Sequence, residues 1–221
     1  FALNPSLTSF VGLDNYVALF RDRLFVQAFG NTILFVIIIV PFQMGLAFGL
    51  ALFIDKISYC KTYFKISFFI PVVMSLAVVS TLWMQIYNAE GILNTLLGWI
   101  GIDPQPFIYS AKQALPSIAF MSIWQGAGYQ MLIFLGGLQA ISPSFFVFIT
   151  ITIGAFKMVV QPMVMTGGGP SYSTYTLVYD IYQTGTVNWE IGTASAMSIV
   201  FAIFVIILTI IQNKITKDKE E

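Results

Sequence analysis

The side chains able to do chemistry in this chain are few, and they lie inside long apolar stretches. Lys157 stands about midway along Phe145 to Met165, with Gly154 about one helical turn before it and Gln161 one turn after. On a helix these three share a face, a polar stripe with room beside it. An ammonium at that depth costs roughly 2.5–3.5 kcal/mol by insertion scales and calls for a compensating partner. A second set, Trp124, Gln125, Tyr129 and Gln130, falls in the stretch Leu115 to Ile141, where Gly126 and Gly128 thin the helix. Aromatic faces stack on the C–H surfaces of sugars while amides and phenols read hydroxyls, so this set suits a polyhydroxylated ligand. Both sets also have a plainer reading. Lys157 can reach to the outer interface or pair with a partner subunit, and the amides can join helix to helix at about 0.6–2 kcal/mol per contact. Trp83, Gln85 and Tyr87 read as an interfacial aromatic belt.

Several chemistries are excluded by residue type. There is no histidine, which removes Ser-His-Asp and Cys-His catalysis, H-E-x-x-H metal sites and His proton relays together. The single cysteine, Cys60, offers neither an internal disulfide nor a metal-ligand pattern and reads as a small apolar filler. The turn Gly167, Gly168, Gly169 and Pro170 is glycine-rich, yet it lacks the G-x-x-x-x-G-K-[ST] phosphate loop, so it reads as a helix terminator and the chain has no means to hydrolyse ATP. Ten Lys+Arg balance ten Asp+Glu, which leaves no basic face for nucleic acid. Gly45 and Gly49 form a small-xxx-small pair, a helix-packing signal, with Pro41 and Gln43 nearby marking a bend.

The elements that must carry these residues are membrane helices. The 221 residues are 57% hydrophobic and 9% charged, with mean hydropathy +0.84, against roughly 25% charged in a soluble domain. A hydrocarbon core of about 30 Å needs about 20 helical residues. Five apolar runs meet that length, at 31–54, 66–87, 115–141, 145–165 and 191–211. Their continuous apolarity fits helices and not barrel strands, so an all-α polytopic bundle is expected, spanning 31–213 between an outer interfacial segment 1–30 and a cytoplasmic tail 214–221. Lys56, Lys61 and Lys65, and then Lys214, Lys217 and Lys219, mark the cytoplasmic side by the positive-inside rule, which places the C-terminus inside. Segments 88–114 and 166–190 then lie outside, and Asn15 to Phe29 and Thr176 to Gln183 carry aromatics at a spacing that suits short interfacial helices. The opening Phe1-Ala2-Leu3-Asn4-Pro5 is neither an initiator Met nor a signal peptide, so the sequence is expected to be a piece of something longer.

Three stretches give the chain a family resemblance. Phe10 to Tyr16 resembles an F-x-G-L-x-N-Y entry to an outer helix. Phe68-Phe69-Ile70-Pro71, followed by Trp83 and Asn88, is the second, and Thr166 to Pro170 is similar to a T-x-G-G-P turn, with Gly192, Ala194, Ser195 and Ala196 opening the last helix. Together they resemble the carbohydrate-importer permeases of ABC transporters, the kind typified by the membrane pair of the maltose transporter. The resemblance implies a type I importer fold with six helices, of which five are present and the first would precede Phe1. It also implies a pore for a sugar or oligosaccharide formed with a second homologous permease. Two separate ATPase subunits would carry ATP and Mg, leaving this chain no cofactor, no metal and no enzymatic activity. A soluble extracytoplasmic binding protein would deliver substrate, and the setting is a bacterial or archaeal plasma membrane.

One departure from that pattern bears on mechanism. The family's cytoplasmic loop, with an E-A-A…G signature that seats in the ATPase, should follow Ser142, yet Gly137 to Ser144 runs directly into Phe145. Either the sequence as read omits residues there, as the absent first helix suggests, or the loop is deleted from the protein. Two other readings compete with the resemblance. An ion-coupled secondary transporter would carry intramembrane carboxylates, and none of the ten acids falls inside an expected span. A non-transporting scaffold or a membrane enzyme accounts less well for polar stripes without His or buried acids.

Overall fold

The computed structural model describes residues 11–137 and 143–217, and among these every regular element is helical. Helix α1 (Asp14–Arg21) is short and ends at Asp22, whose carboxylate accepts from Leu24 N at 2.9 Å and caps α2 (Arg23–Lys56). That cap is why α2 begins at Arg23 and not near Asn31: the first expected span is the lower part of a 34-residue helix, about 51 Å long and so longer than the bilayer core. Along α2 the residues Phe35, Ile39, Gln43, Ala47, Ala51 and Ile54 are buried at helical spacing. Phe42, Phe48 and Phe53, on other faces, stay exposed.

The buried stripe of α2 packs on α6 (Ala114–Gly137) and α7 (Pro143–Phe156). Two glycines set the closeness of that core. A Cβ at Gly128 would overlap the Phe68 carbonyl of α3 (Lys61–Val73), and one at Gly126 would meet the Gln43 amide. Among the described residues nothing lies within 4 Å of a Cβ added at Gly45 or Gly49.

Two of the five expected spans are broken. The second divides into α3 and α4 (Leu76–Ile86), bent by 98°, and the short helix α5 (Ile92–Trp99) follows. The fourth divides into α7 and α8 (Val160–Met165), with Lys157 to Val159 outside either helix. Pro162 explains this break: it has no N–H for the Met158 carbonyl four residues back, and its ring crowds that carbonyl. Met158 O takes its hydrogen bond from the Thr176 hydroxyl instead, at 2.8 Å. Among the described residues three helices are long and apolar enough to cross a membrane unaided, α2, α6 and α10 (Ile191–Lys217), and the α3–α4 pair gives a fourth if it counts as one span. Helix α7 begins at Pro143, ahead of the expected start at Phe145, and passes Ser144 and Phe145 without interruption. The fifth expected span is α10, which Gln212 ties to Thr152 of α7 at 3.2 Å.

Segment 166–190 docks on the N-terminal part of α2. Asn31 Nδ2 donates to the carbonyls of Tyr172 (2.7 Å) and Tyr175 (2.9 Å), Gln27 Nε2 to that of Ser171 (3.0 Å), and Leu177 N to the Thr32 hydroxyl (2.9 Å). Helix α9 (Leu177–Tyr182) lies where a short outer helix was expected. The glycine turn does terminate a helix. Gly167 and Gly168 adopt φ of +59° and +85°, and Gly168 N donates to Pro162 O at 3.2 Å, closing α8.

Candidate functional site

Polar side chains from four helices converge on one cleft of about 230 Å³. Gln43 comes from α2, Ser122, Gln125 and Gln130 from α6, Thr150 from α7 and Gln161 from α8; Val72 and Met158, beside the two helix breaks, complete the wall. Each amide is held in place. Gln43 Nε2 donates to Gln130 Oε1 at 3.0 Å, and Gln161 Nε2 to Ser122 Oγ at 3.4 Å. Gln125 Nε2 reaches across to the carbonyls of Pro71 and Met74, at 3.3 and 3.5 Å, on the α3 side of the 98° elbow. Those carbonyls lose helical partners where α3 ends, so Gln125 satisfies backbone that the break leaves open. Unwound backbone at membrane depth persists only where it is buried in protein or lines a cavity, and this cleft lies against both breaks.

The expected site residues divide. Gln125, Gln130 and Gln161 line the cleft. Trp124 and Tyr129 do not: they are 42% and 44% exposed, and the Trp124 ring lies 5.5 Å from that of Trp83 in a cluster with Phe120 and Tyr87. Tyr87, expected in an interfacial belt, is buried and donates to Ser117 O at 2.8 Å. The expected stripe of Gly154, Lys157 and Gln161 does not form, because the chain leaves the helix at Lys157. Gly154 and Gln161 stay in the cleft, while Lys157 is exposed beside an apolar groove with Phe201, Val205 and Ile206 of α10. No charged residue lines the cleft among the described residues.

Three contributors were not singled out from the sequence as site residues: Gln43, Ser122 and Thr150. Gln43 was legible in principle, since it is the polar member of the buried series Phe35, Ile39, Gln43, Ala47. Above the cleft, Asp180 is 3% exposed. Burial, reinforced by the negative charge of Asp22, lifts its carboxyl from 3.8 to about 6 against the opposing hydrogen bonds of Thr184 and Tyr175.

A multi-pass helical bundle whose polar groups meet in one uncharged cleft, where two broken helices come together, is the architecture of a membrane transport subunit. No protein-family model matches the sequence. The whole chain aligns at 30% identity with 86% of a probable ABC transporter permease protein, YurN, of Bacillus subtilis. The chain belongs to the ABC transporter permeases. It is also 28% identical, over 96% of its length and 82% of the relative's, to the sn-glycerol-3-phosphate transport system permease protein UgpA of Agrobacterium fabrum. The fold matches a bacterial ABC transporter involved in import of the acidic polysaccharide alginate (TM-score 0.80, 17% identity, 96% of this chain and 85% of that one). It likewise matches that kind of transporter in complex with an alginate pentasaccharide-bound periplasmic protein (TM-score 0.76, 19% identity, 94% and 83%). The alignment with YurN spans 253 positions against 221 residues here, so at least 32 positions of that relative have no counterpart in this sequence.

Proposed function

We propose that this chain lines half of the translocation path of a sugar or oligosaccharide importer, and that the amide cleft is its part of that path. The observation that carries the reading is the convergence of Gln43, Gln125, Gln130 and Gln161 with two hydroxyls beside both helix breaks. Amides offer a donor and an acceptor on one plane, which suits vicinal hydroxyls. Broken spans supply elements that can tilt, so the path can open alternately to each side.

The remaining subunits follow from the same reading. A second, homologous permease closes the other half of the path. An extracytoplasmic solute-binding protein delivers the substrate, and two ATPase subunits bind ATP and Mg and drive the cycle. The chain sits in the plasma membrane with segments 88–114 and 166–190 outside and the lysine-bearing 214–221 tail in the cytoplasm, as its cations favour. The coupling contact to the ATPases is expected after Ser142, between α6 and α7, beside residues 138–142, which lie outside the described residues. The test is co-expression with an untagged second permease and ATPase, followed by copurification and reconstitution. ATP-dependent saccharide uptake is expected, and a chain that neither assembles with an ATPase nor supports uptake overturns the proposal.

A further inference from the structure

A second groove, of about 420 Å³, lies apart from the amide cleft, where α5 meets the start of α6. Leu93 and Leu97 of α5 and Pro116 and Phe120 of α6 line it. Polarity changes along its length. Lys112 and Gln113 stand just before α6, where Gln113 Nε2 donates to Gln105 Oε1 at 3.0 Å. Phe120 lies two turns into the helix, about 9 Å beyond Ala114. With segment 88–114 outside, that direction leads from the outer interface into the hydrocarbon. Phe120 and Trp124, one turn apart, carry the same apolar face deeper, and both are exposed.

Charge is confined to one end. Lys112 is exposed, makes no hydrogen bond or ion pair among the described residues, and is the single charged residue in the groove's lining. Glu90 and Asp103 share its outer segment but are not part of that lining. An ammonium at the mouth of an apolar trough complements an anionic amphiphile: the head meets the cation at the interface, and the tail covers the apolar wall. The surroundings place that mouth in lipid. On α5 and just after it, Ile92, Leu96, Trp99 and Ile100 are exposed at helical spacing, the apolar face of a helix lying in a membrane interface.

The geometry points to a binding site for an anionic phospholipid of the outer leaflet, its headgroup against Lys112 and an acyl chain along Leu93, Leu97 and Phe120. The inference rests on the membrane placement proposed above, with 88–114 outside, and not on the amide cleft. It is tested on the assembled transporter in phosphatidylcholine nanodiscs doped with phosphatidylglycerol or phosphatidylcholine that carries a photoreactive diazirine on one acyl chain. Labelled peptides are mapped by mass spectrometry. Label is expected in peptides covering 93–97 and 116–120, with phosphatidylglycerol ahead of phosphatidylcholine by about fivefold, the ratio that one lysine near a membrane surface supplies. Lys112→Gln is expected to bring that ratio to about one and Lys112→Arg to keep it; Lys112 is exposed, so neither change disturbs packing. Equal labelling by the two lipids in the unaltered transporter, or a ratio that Lys112→Gln leaves unchanged, would overturn the inference. So would absence of label from both peptides in a complex that takes up saccharide, since another subunit then covers the groove, and the path reading would stand. Fivefold-selective labelling in a complex that takes up no saccharide would support the lipid site and count against the path reading alone.

Discussion

Helix α6 carries a built-in comparison, because three of its glycines face different surroundings. At Gly128 an added Cβ would overlap the Phe68 carbonyl oxygen, lie 2.8 Å from the carbonyl carbon and 3.2 Å from Phe69 Cα. All three are backbone atoms, so Gly128→Ala has to push α6 and α3 apart. Overpacking of this kind costs about 1–3 kcal/mol, offset in part by the roughly 1 kcal/mol that Ala gains over Gly in a helix, for a net loss of about 0–2 kcal/mol. At Gly136 no described atom lies within 4 Å of an added Cβ, so Gly136→Ala should keep only the gain, up to about 1 kcal/mol. The two variants should then differ by the overpacking cost, about 1–3 kcal/mol, which for a chain of this size is about 2–12 °C in melting temperature. Gly126→Ala should fall between them, since its Cβ meets only the Gln43 side-chain amide and its cost is the Gln43–Gln130 pair. Thermal unfolding of the purified complex in nanodiscs, followed by thiol-reactive or intrinsic fluorescence, reads the order directly. Equal melting of Gly128→Ala and Gly136→Ala would refute the close α3–α6 packing on which the elbow geometry depends.

Three further outcomes are expected. Gln125→Leu leaves the Pro71 and Met74 carbonyls without their donor, at a cost of about 1–3 kcal/mol; spin labels on α3 and α4 should report a broader distance distribution, and an unchanged one would show that other contacts hold the elbow. Asp180, with its carboxyl lifted from 3.8 to about 6, holds a proton in the fold that the unfolded chain releases. Stability should accordingly fall by roughly 2–3 kcal/mol as pH rises from about 4 to 6 and level off above. Asp180→Asn should flatten that slope in melting curves, and a slope unaltered by the substitution would place the titration elsewhere. Lys157→Met should leave the KM for uptake unchanged, because Lys157 lies outside the cleft; a raised KM would return it to the path.

How far the sequence could be read is clearest from the two broken spans. Apolar length alone located α2, α6 and α10, because a helix in lipid satisfies its own backbone and needs little tertiary instruction. The α7–α8 break was signalled by Pro162, whose missing N–H disrupts the helix four residues back, but apolarity on both sides concealed it. The α3–α4 elbow has no such local mark at Met74 and Ser75: its carbonyls are satisfied from Gln125, 54 and 51 residues away in sequence, so it is a tertiary feature. The same holds for the cleft. That Gln125, Gln130 and Gln161 were unusual could be seen from their apolar neighbours, whereas their meeting with Gln43 depends on how α2 packs against α6. Lys157 drew attention as a mid-span charge only while 145–165 was taken as one helix. Gly45 and Gly49 remain a packing motif with no partner among the described residues.

The central claim is that the amide cleft lies on the route of the cargo. Cys60 is the chain's one cysteine, exposed and free, so Cys60→Ser gives a background in which Thr150→Cys places a single thiol in the cleft wall. In the assembled transporter, a small hydrophilic maleimide or methanethiosulfonate reagent should label that thiol from the aqueous phase, and the transported saccharide should slow the labelling in proportion to its occupancy. A thiol that reacts only with lipid-soluble reagents, or at a rate that saturating saccharide leaves unchanged, would contradict the account.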